Sequence, residues 1–175
     1  MHLDSKGIDI TSQQDIEYSP QDCKILEGNL PIDAGFSGPF HPMDLVTITG
    51  GINVTGGDSI GITSFKMSTL EEVESIVFNS LPKLTEWSTP KLRSADIELG
   101  VPSEIKNIEF PALEESTAIR VIANASKISF PKLTEVDGPF LATNLEHSNS
   151  TSLTTVEISA PKLEHASQII GTRKC

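Results

Sequence analysis

Phe130-Pro-Lys-Leu-Thr-Glu-Val136 decides how this chain folds, because the phrase keeps returning. Copies stand at Leu81-Pro-Lys-Leu-Thr-Glu-Trp87, Thr89-Pro-Lys-Leu-Arg-Ser-Ala95, Phe110-Pro-Ala-Leu-Glu-Glu-Ser116 and Ala160-Pro-Lys-Leu-Glu-His-Ala166. Two weaker copies lack the proline, Ser68-Thr-Leu-Glu-Glu-Val73 and Ser152-Leu-Thr-Thr-Val156. Leu70, Leu92, Leu113, Leu133 and Leu153 are spaced 22, 21, 20 and 20 residues apart, with Leu84 and Leu163 as extra copies between or after those coils. A fixed period near 20 residues describes stacked coils, none of which buries a full core alone. Solenoids of this kind mostly present surfaces.

Each phrase follows a short run of alternating apolar residues: Ile76-Val-Phe78, Ile108-Glu-Phe110, Ile128-Ser-Phe130 and Val156-Glu-Ile158. Alternation places the apolar members on one face of a strand. The proline that follows cannot donate a ladder hydrogen bond and forces a turn. The leucine then returns to the core. One strand per coil, stacked on the next, builds a parallel sheet whose ends need caps. Gly28-Asn-Leu-Pro-Ile32 and Gly50-Gly-Ile-Asn-Val54 start 22 residues apart, so the period reaches back to the first coil.

The expected fold is thus a repeat solenoid, a parallel β-helix of about 20–22 residues per coil. It is right-handed, because parallel crossovers nearly always are. No segment shows a capped helical period of ten residues or more. Asp58–Leu70 and Thr69–Ser75 have room for one helical turn each. Residues 1–22 are polar and read as a flexible N-terminal lead-in, and residues 23–175 as the solenoid. The stretch Asp33–Asp44, with glycine, proline and two phenylalanines, reads as a loop. Gly50-Gly51 and Gly56-Gly57 read as turn glycines.

Composition narrows the partners. Aromatic residues are 5% of the chain, so the core is expected to be built from Leu, Ile and Val. The formal net charge is −11, from 13 basic and 24 acidic side chains. That charge repels phosphate backbones, and no Lys/Arg cluster offsets it, which argues against nucleic acid as a partner. No stretch approaches the 18 apolar residues that a transmembrane helix needs. Met1-His-Leu-Asp-Ser-Lys-Gly is not a signal peptide, and Gly171-Thr-Arg-Lys-Cys175 lacks the hydrophobic tail of a glycolipid-anchor signal.

Cys23-x-x-x-x-Gly-Asn-Leu-x-Ile32 with Ile48-Thr-Gly-Gly-Ile-Asn-Val54 resembles the opening of a receptor L domain. That is the leucine-rich β-helical module of insulin- and epidermal-growth-factor-type receptors. The later coils, with Phe-Pro-Lys-Leu-Thr-Glu-Val and Ala-Pro-Lys-Leu-Glu, are similar to a fungal family of glycolipid-anchored cell-wall organisation and sporulation-specific surface proteins. The resemblance covers about residues 23–175. It implies a secreted, glycosylated, non-enzymatic protein of the cell surface or cell wall. The implied partners are cell-wall polysaccharide or surface proteins. The chain departs from the family pattern at both ends, with no secretion signal, Ser/Thr-rich stalk or anchor signal. Cys175 stands where the family's C-terminal cap begins, which implies a truncated solenoid.

Candidate sites are few. Three N-glycosylation sequons are present, Asn53-Val-Thr, Asn124-Ala-Ser and Asn149-Ser-Thr. Asn53 stands between two inward residues and is expected to face out. The two cysteines, Cys23 and Cys175, bracket the repeats at cap positions. A solenoid holds its ends farther apart than the roughly 7 Å a disulfide spans. Each has therefore lost a partner through truncation, or both are free thiols. His2, His41, His147 and His165 lack metal-ligand spacing, and no Ser-His-Asp order with a nucleophile elbow is visible. No metal, cofactor or catalytic residue is expected.

Glu72, Glu86, Glu115 and Glu135 follow their leucines by two residues, and Lys83, Lys91, Lys132 and Lys162 precede theirs by one. Stacking is expected to turn these into neighbouring rows of opposite charge, read as a solvated, ion-paired face. The expected function is a non-catalytic cell-wall scaffold. One alternative is an extracellular recognition module that binds a protein or glycan on its sheet face, which an exposed aromatic patch would favour. Another is a polysaccharide-active β-helix enzyme, which needs two carboxylates facing across a cleft. An exposed parallel edge at a solenoid end also predicts self-association through the ends.

Overall fold

A computed structural model describes residues 2–4, 10–17, 23–41, 44–55, 61–144 and 157–170. Its elements are β1 (His2–Asp4), α1 (Gln13–Glu17), β2 (Ile25–Glu27), β3 (Leu30–Asp33), β4 (Ser37–Phe40), β5 (Thr47–Thr55), β6 (Gly61–Lys66) and β7 (Glu72–Phe78). There follow β8 (Glu86–Ser88), β9 (Ser94–Glu109), β10 (Glu115–Ser116), β11 (Ile119–Ser129), β12 (Glu135–Asn144), β13 (Glu157–Ser159) and β14 (His165–Ile170). Every strand pairing among them is parallel. The protein is a parallel β-solenoid, with one large sheet that bends around the molecule and a smaller sheet β4-β6-β8.

The repeated phrase is the corner of the coil. Leu84, Leu92, Leu113, Leu133 and Leu163 each donate their N–H to the carbonyl three residues back, at 3.3–3.4 Å, closing the turns over Pro82, Pro90, Pro111, Pro131 and Pro161. Among the described residues no non-glycine residue has a positive φ, so these are type I turns, for which proline's fixed φ suits the second position. Immediately after the corner a backbone ladder runs the length of the molecule. Val46, Glu71, Arg93, Glu114, Thr134 and Glu164 each donate N–H to the matching carbonyl of the preceding coil, from Lys24 to Thr134, at 2.8–2.9 Å.

That ladder sets the true register. The residue before each of its members belongs to one column: Cys23, Leu45, Leu70, Leu92, Leu113, Leu133 and Leu163. Leu163, not Leu153, is therefore the stacked successor of Leu133. The sequence spacing favoured Leu153, which lies outside the described residues. A longer excursion between the two coils costs little, because loop-closure entropy grows only slowly with length. Leu84 belongs to a second corner instead, where Thr85 donates to the Thr63 carbonyl at 2.8 Å.

Four further expectations change. Asp33–Asp44 is not all loop, since β4 lies within it, with Phe36 just before the strand and Phe40 at its end both buried. Where a helical turn had room near Asp58–Leu70 the chain forms β6, and β7 begins at Glu72. Gly50 and Gly51 lie inside β5 rather than in a turn, and a Cβ on Gly50 would meet the Gly28 carbonyl at 2.8 Å. Gly56 and Gly57 lie outside the described residues. The lead-in over 1–22 joins the solenoid where it is described: β1 pairs with β2, Ile10 bridges Ile32, and Ile16 of α1 is buried. Among the described residues α1 is the one helix, and it is 5 residues long, in line with the expectation of few or no long helices.

The core is more aromatic than the composition led us to expect. All seven Phe and the single Trp are buried. Phe40, Phe65 and Trp87 are register partners on β4, β6 and β8, so their rings stack coil upon coil. Phe40 and Phe65 lie 5.3 Å apart and 4° from parallel, and Phe65 and Trp87 4.6 Å apart and 15° from parallel. Trp87 then meets Phe110 at 5.7 Å, and Phe110 stacks on Phe130 at 5.1 Å. Alongside runs an aliphatic column, Leu30-Ile52-Ile76-Ile97-Ile119, which continues through Phe140 to Ile169. Few aromatics suffice because one per coil, placed in register, makes a continuous stack.

Candidate functional site

With the apolar columns inside, the chemistry of the molecule lies on its outward columns. Thr47, Glu72, Ser94, Glu115, Glu135 and His165 are successive register partners just beyond the leucine corner. Glu72, Glu115, Glu135 and His165 are exposed. Adjacent parallel strands lie about 4.8 Å apart, so Glu115 and Glu135 are close like charges. Glu71 and Glu114 occupy the neighbouring column, with Arg93 between them. Arg93 donates to Glu114 at 3.2 Å. Glu114, through that bond and its charge, and then Glu71 and Glu72, hold the guanidinium above its ordinary pKa.

The row of four glutamates expected from spacing is divided. Glu86 stands on β8 in the other sheet, where Lys66 pairs with it at 2.8 Å, while Ser94 fills the place between Glu72 and Glu115. The lysine row is divided likewise. Lys91, Lys132 and Lys162 follow the corner prolines of the leucine column, whereas Lys83 is at the second corner. All four are exposed. Two ion pairs lie at this corner, Lys24–Asp44 and Arg93–Glu114, while Lys66–Glu86, Arg120–Glu98 and Lys127–Glu109 are made elsewhere. The face beside the leucine corner is thus partly ion-paired, and Glu72, Glu115 and Glu135 form an acidic stripe along it.

Asn53 and Asn124 are both half-buried on strands and lie on different parts of the coil. Asn53 sits on β5 between Pro31 of β3 and Val77 of β7, in an outward column that continues through Glu98, Arg120 and Leu141. Asn124 sits where β11 turns a corner. Its register against β9 shifts there, Ala123 opposing Val101 and Asn124 opposing Glu104. Ser126, the hydroxyl residue of that sequon, is exposed. Asn149 and Cys175 lie outside the described residues. Cys23 is a free thiol, fully buried, and occupies the leucine position of the first coil.

One juxtaposition was not legible in the sequence. His41, just after β4, has its Nε2 2.8 Å from Ser64 Oγ on β6. Their separation of 23 residues is close to one coil period, which was the available signal. Both groups lie on the outer surface of the small sheet, with Glu86 the register partner of Ser64 and tied to Lys66. Among the described residues no group of three or more His, Cys, Asp or Glu gathers as cation ligands. No described helix is long and apolar enough to cross a membrane.

A scan against protein-family models finds no match to this chain, and searches of curated proteins and of solved structures find none either.

Proposed function

We propose that the protein is a non-catalytic scaffold of the fungal cell surface or cell wall, acting through the faces of its solenoid. One observation carries the reading: every Phe and the Trp are consumed in a continuous internal stack, leaving outward columns of charged, hydroxyl and small residues in a regular array. Such an array suits spacing and display. The burial of the aromatics also removes the patch that would favour ligand capture on a sheet face. Glu72, Glu115 and Glu135 line one stripe side by side, an arrangement that supports a display role over glycoside chemistry. Half-exposed Asn53 and Asn124 fit a secreted glycoprotein.

The test is fractionation of the source cells into cytosol, membrane, wall and medium, with gel mobility compared before and after removal of N-glycans. A wall, membrane or medium pool that shifts on deglycosylation supports the reading. A cytosolic, unshifted band overturns it.

A further inference from the structure

We draw no further inference here: the strongest candidate, the exposed carboxylate stripe of Glu72, Glu115 and Glu135 beside the leucine corner, rests on a row of acidic side chains alone, with no second feature among the described residues that points to what would bind it.

Discussion

Trp87 lies flat on Phe65, with ring centroids 4.6 Å apart and planes 15° from parallel, because β6 and β8 bring the two residues into register. Phe65 also stacks on Phe40 and meets Phe78 edge-on at 5.4 Å, so it touches aromatic rings on three sides. Replacing it with alanine opens a cavity in the middle of the stack. Phe65→Ala is expected to destabilise the protein by about 3–5 kcal/mol. Urea unfolding followed by fluorescence of Trp87, the single tryptophan, measures this directly. A loss below about 1 kcal/mol would mean that the stack does not hold the coils together.

Gly100 has no room for a side chain. A Cβ built there would stand 2.1 Å from the Asn79 carbonyl oxygen of the neighbouring coil. The obstacle is backbone, so it yields only if the two coils separate. Gly100→Ala is therefore expected to cost at least about 1–3 kcal/mol, the usual range for overpacking. A thermal melt of the variant beside wild type checks it, and an unchanged midpoint would show that the coils are less tightly apposed.

Cys23 illustrates what was legible and what was not. The sequence shows a cysteine ahead of the repeats, at a place suited to a cap. The backbone ladder makes it a leucine equivalent, since Lys24 accepts from Val46 just as Val46 accepts from Glu71. The leucine period was readable because each corner repeats the same proline turn. The aromatic column was not. Its members pass from strand positions (Phe40, Phe65, Trp87) to corner positions (Phe110, Phe130), so no single phrase carries them. Leu163 was hidden because an even spacing pointed to Leu153, and register follows hydrogen bonds rather than counting. The pairing of His41 with Ser64 needed the small sheet, whose first strand lies in a stretch that reads as a loop.

A buried thiol in the leucine column is protected from reagents. In a Cys175→Ser variant, Cys23 is expected to react with a disulfide reagent only as fast as the chain opens, and at once in denaturant. Cys23→Ser would place a hydroxyl where the column is apolar, costing about 1–3 kcal/mol. Fast labelling of the native variant would show that the first rung is open.

The acidic stripe carries repulsion that a neutral side chain relieves. Glu115 and Glu135 are direct register partners on adjacent strands. Glu135→Gln is expected to raise stability by roughly 0.2–1 kcal/mol at low salt, with the gain shrinking as salt screens the pair. Denaturant midpoints at two ionic strengths check both parts. A loss of stability at low salt would mean that Glu135 has a favourable partner that outweighs its neighbour.

The N-terminal helix depends on one carboxylate. Asp15 accepts hydrogen bonds from the Ser12 N–H at 2.7 Å and the Thr11 N–H at 2.9 Å, and from both of their hydroxyls. This is one half of a capping box: the acid three residues after Ser12 reaches back to its N–H, while the Asp15 N–H bonds the Ser12 main-chain carbonyl at 3.2 Å. The hydroxyl of Thr11, then its N–H, and then the same two groups of Ser12 lower the pKa of Asp15 from 3.8. A folded-state pKa below the unfolded value means that the charged form is favoured by folding. Its stabilisation is fully present above the unfolded pKa and is lost as pH falls from about 3.8 through the lowered folded value. Asp15→Asn should accordingly lower the protection of Gln13–Glu17 against amide exchange at neutral pH, and should remove the loss of protection, relative to intrinsic exchange rates, expected of wild type on acidification. Exchange measured at pH 7 and near pH 3 decides the matter. Equal protection of α1 in both proteins at both pH values would show that the helix is held by Ile16 in the core and not by its cap.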